Sequence, residues 1–222
     1  MVYLAAFALA IWADVLGIFL FRLMTLFDTT PELLPLPGAS CYYYPQFLDA
    51  TAAQEYFELL LAQTPWQQDD ITVFGKVYPQ PRLTALYGNN GMPYSYSNIN
   101  MYPHEFTSAL SEIKQKVEIL TGHHFSSCLL NLYRNGKDSN GWHADDEKEL
   151  GPHPVIASVS LGATRIFKFR DKATKKNTYK MELTAGSLLL MKGTTQNLWQ
   201  HQIPKTAKKV GPRINLTFRT IQ

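Results

Sequence analysis

Cysteine is nearly absent from this chain. Its 222 residues include two, Cys41 and Cys128, too few for a disulfide framework or a cysteine-based zinc site. No segment repeats with a period of roughly 20–50 residues, and no tract is of low complexity, which excludes a solenoid or a linker-like chain. Charge is scarce too. Charged residues make up 18% against 45% hydrophobic, a balance that supports a buried core and excludes global disorder. The formal net charge of +3 permits a polyanionic partner without requiring one. No basic stretch precedes the apolar start, as a secretory signal would require. The expected compartment is therefore the reducing cytoplasm. At ~150 residues per domain, the length predicts one domain with an extension.

That extension is residues 1–27, almost wholly apolar and interrupted by Asp14 and Arg22. It nearly reaches the ~20 apolar residues of a membrane-spanning helix, but Asp14 would cost ~2.5–3.5 kcal/mol on insertion. Three readings compete: an anchor, an amphipathic tail, or upstream codons not normally translated. The third is preferred, with translation starting near Met24; a membrane anchor through residues 1–27 is the alternative localisation.

Beyond it, residues 28–123 read as a helix- and loop-rich region. Asp49 or Thr51 caps a helix running to about Ala62, with Thr51 and Gln54 at capping-box spacing. Trp66 to Pro103 reads as short strands and long loops. Pro103 then opens a helix whose Phe106, Leu110, Ile113, Val117 and Leu120 form one apolar stripe, ended by Gly122. Over residues 124–222 the period changes to two, with short strands separated by turns at Gly162-Ala163-Thr164 and Ala185-Gly186. This is the pattern of a sandwich or barrel.

The chemistry lies in the second region. His143-Ala144-Asp145 is an H-x-D pair whose side chains share one side of an extended segment. His201 is a third candidate. In Arg213-Ile214-Asn215-Leu216-Thr217-Phe218-Arg219 the polar residues alternate strictly with the apolar ones. Two Arg, an Asn and a Thr on one face suit a carboxylate-binding stripe, because guanidinium pairs bidentately with carboxylate. Two His and one carboxylate suit non-haem Fe(II) better than zinc. A metal site beside a dicarboxylate clamp implies a ferrous, 2-oxoglutarate-dependent oxygenase.

These motifs, with Asn131-Leu132-Tyr133, His143 to Glu147, and Ser158 to Ala163, resemble the AlkB family of nucleic-acid oxidative demethylases from about Leu33 to Ile221. The resemblance implies a mostly β fold with flanking helices: a double-stranded β-helix, or jelly roll, with an N-terminal nucleotide-recognition region. It implies that His143, Asp145 and His201 bind Fe(II). Arg213 would take the distal carboxylate of 2-oxoglutarate with Asn131 and Tyr133, and Arg219 with Asn215 the carboxylate nearer the metal. The implied reaction consumes O2, converts 2-oxoglutarate to succinate, and releases a base-bound methyl group as formaldehyde. The implied partner is alkylated DNA, with RNA as the alternative, acted on by a monomer with no obligate protein partner.

1-Methyladenine and 3-methylcytosine are cationic, so their pocket should offer an aromatic face and a carboxylate. Tyr94 and Tyr96 are candidates for stacking, and Asp146 and Glu147 for charge. Val73-Phe74-Gly75-Lys76 resembles the base-prying loop of duplex-acting relatives, with Phe74 as wedge and Arg82 on the lesion strand. Lys172, Lys175, Lys176, Lys205, Lys208 and Lys209 are candidate phosphate contacts. Protein or lipid oxidation on the same scaffold is the rival activity. A non-catalytic binding module is disfavoured by the intact triad and both arginines.

Overall fold

Two facing antiparallel sheets carry the fold in the computed structural model, which describes residues 30–73, 75–89, 94–96 and 99–222 and gives only the backbone at 72–73, 94–96 and 99–100. The strands are β1 (Glu32–Leu33), β2 (Ser40–Tyr44), β3 (Asp70–Val73), β4 (Lys76–Pro79), β5 (Leu83–Gly88), β6 (Tyr94–Tyr96), β7 (Ile99–Met101) and β8 (Ser127–Tyr133). After these come β9 (Asn140–His143), β10 (Ile156–Gly162), β11 (Arg165–Asp171), β12 (Thr178–Leu183), β13 (Leu188–Lys192), β14 (Trp199–Ile203) and β15 (Arg213–Arg219). The larger sheet has the order β1-β2-β13-β10-β15-β8-β5 and the smaller β12-β11-β14-β9. Two hairpins, β3-β4 and β6-β7, stand apart from both. This is the jelly-roll arrangement, and strands from either side of residue 124 share its larger sheet. Residues 1–29, on which the N-terminal expectation rests, lie outside the described residues. No helix among the described residues is long and apolar enough to cross a membrane.

Helix α1 (Ala50–Gln63) is capped by Asp49, whose carboxylate accepts from Ala52 N at 2.8 Å. Gln54 is not part of a capping box; its amide donates to Glu58. Helix α2 (Ser108–Thr121) ends at Gly122 in the left-handed region, φ 70°. It starts five residues later than Pro103 suggested. His104 N and O pair with Leu86 and Gly88 at the edge of β5, an isolated bridge, and Thr107 caps the helix through Leu110 N. Leu110, Ile113 and Val117 are buried, as the stripe predicts.

Central strands β8, β10 and β15 are buried on both faces. Their apolar residues, such as Phe218 against Phe125, fill one side. Their polar residues face inward, between the sheets, and this inward polar face builds the site.

Candidate metal and co-substrate site

His143 ends β9, and antiparallel pairing with β14 sets it opposite His201. Asp145 follows two residues later. One ligand atom from each of the three residues lies within 4.8 Å of the others. Asp145 Oδ1 is 4.0 Å from His143 Nε2, and Oδ2 is 3.9 Å from His201 Nε2. A carbonyl can only accept, so His143 Nδ1–H donates to Gly141 O at 2.7 Å; Nε2 is then the unprotonated nitrogen, the one that would ligate a metal, and it accepts from Asn140 Nδ2 at 3.2 Å. His201 stacks on Phe167, with ring centroids 5.2 Å apart. Gln196, in the short helix α3 (Thr195–Leu198), accepts from Asp145 N at 3.0 Å. Arg219 Nη2 donates to Asp145 Oδ1 at 2.7 Å.

Burial sets the protonation of this cluster. It pushes His143 down, and it pushes His201 down to about 3 with help from the His143 ring. On Asp145 burial acts upward, but Arg219 and the two imidazoles outweigh it and hold the carboxyl below its ordinary value. Two neutral imidazoles and an ionised carboxylate are the forms that ligate a metal. The donor set therefore fits ferrous iron in a two-His, one-carboxylate site.

Beside it lies a cavity lined by the cluster and by Asn131, Tyr133, Ser158, Asn215, Thr217 and Arg219. The polar ladder of β15 runs along it. Arg213 Nη2 donates to Ser160 Oγ and Asn215 Oδ1, both at 2.8 Å. Ser158 Oγ donates to the same Asn215 oxygen, and Asn215 Nδ2 donates to Thr217 Oγ1. Arg213 is fully buried, and its Nε and Nη1 have no hydrogen-bond partner. A buried cation with two nitrogens, Nε and Nη1, outside the ladder fits a carboxylate ligand such as that of 2-oxoglutarate.

Sequence reasoning missed Ser158, Ser160 and Gln196. The two serines carried a signal, since they share a face of β10 and register opposite Thr217 and Asn215. Gln196 carried none, because its role depends on a contact across 51 positions.

Arg219 meets Asp145 directly. Asn131 Oδ1 accepts from Arg82 Nε at 2.7 Å. Arg82, expected on the lesion strand, is 3% exposed and held by Asn131 and the Ser139 carbonyl. Asp146 is exposed and ion-paired with Lys172. Glu147 is half-buried; burial and the neighbouring Asp145 push its carboxyl up. The backbones of Tyr94 and Tyr96 lie in the β6-β7 hairpin. Phe74 lies outside the described residues. Lys175, Lys176, Lys205, Lys208 and Lys209 are exposed.

Residues 40–219 match the 2OG-Fe(II) oxygenase superfamily. The chain is 47% identical to alpha-ketoglutarate-dependent dioxygenase alkB homolog 3 of Bos taurus, over 80% of this chain and 64% of that one. Against the Homo sapiens protein of that name it is 46% identical, over 86% and 69%. To DNA oxidative demethylase ALKBH2 of Homo sapiens it is 37% identical, over 83% and 74%. It thus spans 64–69% of the length of the two alkB homolog 3 relatives. The solved structure of OsALKBH1 shares the fold, with a TM-score of 0.60 at 17% identity over 86% of this chain and all of that one. A superfamily match across most of the chain and relatives at this identity establish that the chain belongs to the AlkB family of 2OG-Fe(II) oxygenases, whose cofactors are Fe(II), 2-oxoglutarate and O2.

Proposed function

We propose that the protein is a DNA repair enzyme that oxidatively removes methyl groups from N-alkylated bases, 1-methyladenine and 3-methylcytosine among them. The observation that carries this reading is the convergence of His143, Asp145 and His201, with ligand atoms within 4.8 Å of one another, beside the buried guanidinium of Arg213. His143, Asp145 and His201 hold the iron. Arg213 takes the distal carboxylate of 2-oxoglutarate, with Tyr133 and Asn131 in the same wall. Asn215, bonded to both Arg213 and Ser158, keeps the guanidinium in place, and Arg219 holds Asp145 in its ligating form. Iron bound with O2 and 2-oxoglutarate supplies the oxidising chemistry, which yields succinate and CO2 and hydroxylates the N-methyl carbon, so that formaldehyde leaves and the base nitrogen is restored.

The chain's own residues do the rest. The inward polar face of β15 excludes bulk water by its burial and presents fixed dipoles to the reactants. A cationic methylated base is attracted to the carboxylates of Asp146 and Glu147 that follow the metal cluster. Tyr94 and Tyr96 offer stacking faces for the base. The exposed lysines offer phosphate contacts. Phe74 serves as the wedge on duplex substrates.

His143→Ala, Asp145→Ala and His201→Ala are each expected to abolish 2-oxoglutarate turnover. Arg213→Lys is expected to raise KM for 2-oxoglutarate far more than that for DNA, because lysine keeps the charge but loses the bidentate fork. A ligand variant with full iron-dependent turnover would show the assignment to be wrong.

A further inference from the structure

Two guanidinium groups lie over one buried phenol ring. Arg213 Cζ is 5.3 Å from the Tyr133 ring centroid and Arg165 Cζ is 5.7 Å from it. Arg165 opens β11, just past the Gly162 turn, and is 3% exposed. Its Nη2 donates to the carbonyls of Asp138 and Pro204 at 2.9 and 2.7 Å, and its Nη1 to that of Asn135 at 3.2 Å. All three acceptors are neutral. The Asp138 carboxylate is hydrogen-bonded by Arg134, and its charge also acts on Arg165 without a bond to it.

The cluster thus gathers two buried positive charges around a π-face. Burial pushes the Arg213 guanidinium down to about 10, and the charge of Arg165 adds to the push while the Tyr133 phenol opposes it. Burial likewise pushes Arg165 down, against the opposing pull of the Tyr133 phenol and the Asp138 carboxylate. Buried like charges are costly unless a counter-charge joins them. The Nε and Nη1 of Arg213 give that counter-charge a point of contact. The Nη donors of Arg165 are already engaged, so it acts through the ring it holds and through its field.

We propose that Arg165 is a positioning residue that makes the Tyr133 end of the cavity selective for a 2-oxo dicarboxylic acid over a 2-oxo monocarboxylic acid. It fixes the phenol beside Arg213 and adds a second positive charge where the distal carboxylate arrives. The inference rests on Arg213 being the partner of that carboxylate. Nothing in the sequence marks the residue, since Arg165 reads as the first position of an ordinary alternating strand.

The test is calorimetric titration of the full chain, loaded with ferrous ion under anaerobic conditions, with 2-oxoglutarate and with 2-oxopentanoate, which lacks the distal carboxylate. Arg165→Met is expected to weaken 2-oxoglutarate binding tenfold or more and to leave 2-oxopentanoate within twofold. Arg165→Lys, which keeps the charge, should retain at least a third of the wild-type preference. If Arg165→Met fails to fold, Arg165→Gln, which keeps an amide donor for the carbonyls, carries the same expectation. Equal weakening of both acids, or no change in their ratio, would overturn the proposal and leave Arg165 a structural brace. Arg213→Lys separates the two levels. If it lowers the ratio while the Arg165 variants do not, this proposal alone fails; if it leaves the ratio unchanged, the assignment of Arg213 fails with it.

Discussion

Arg219 Nη2 lies 2.7 Å from Asp145 Oδ1, so the last residue of β15 holds the carboxylate of the metal cluster. Neither group has an alternative in water, as both side chains are at most 5% exposed. The pair joins the strand that carries Arg213 to the segment that carries the H-x-D ligands. Metal and co-substrate sites are therefore mechanically one unit.

Arg219→Met would leave Asp145 buried without that cation. In metal-free protein the expected loss is about 3–5 kcal/mol, the usual cost of removing one partner of a buried pair. A divalent ion replaces the missing charge, so Mn(II) should recover part of the loss. Thermal unfolding with and without Mn(II) checks this; an unchanged metal-free Tm would mean that the pair does not support the fold.

Asp138 gives a pH dependence of known sign. Burial acts to raise its carboxyl, but hydrogen bonds from Arg134 side chain and backbone reverse this and hold it below its ordinary value. The unfolded chain, with a value near ~3.9, therefore binds the proton first as pH falls. The stabilisation is complete above that value and is lost as pH drops through the lower, folded one. Asp138→Asn should cost about 1–2 kcal/mol at pH 7, the half-exposed Arg134 keeping the figure modest. Denaturant titrations should show wild type and variant converging below ~pH 4; a gap that stayed constant into acid would contradict the ionic origin.

Gly162 sits at φ +79°, and a Cβ there would meet both the Pro212 carbonyl oxygen and the Phe57 ring at 2.6 Å. Left-handed strain and overpacking together predict a loss of about 2–5 kcal/mol for Gly162→Ala. Gly162 also pairs with Arg213 in the sheet, so KM for 2-oxoglutarate should rise as well. An unchanged denaturation midpoint would show that the turn relaxes freely.

Much of this was legible in the sequence for a physical reason: short-range patterns report short-range geometry. The i, i+2 spacing put His143 and Asp145 on one side of the chain, and strict alternation put Arg213, Asn215, Thr217 and Arg219 on one face. Asp49 and Gly122 marked the helix ends where they fall. What the pattern could not report was partnership across the sheets. Arg82, just before β5, and Asn131 on β8 pair only because those two strands are neighbours. Arg219 also meets Asp145, a contact across 74 positions that no local pattern shows. The late start of α2 has the same origin, since backbone pairing of His104 with β5 outcompetes the helix signal at Pro103.

The most direct test of the central claim is the mass spectrum of an oligonucleotide carrying a single 1-methyladenine after incubation with the full chain, ferrous ion, ascorbate, 2-oxoglutarate and O2. The account predicts loss of one methyl group, with formaldehyde and succinate appearing in equal amounts, and no loss with Asp145→Ala or without 2-oxoglutarate. A methylated oligonucleotide that persists while 2-oxoglutarate is consumed would contradict nucleic-acid demethylation. Demethylation that survives Asp145→Ala would contradict the assigned metal site.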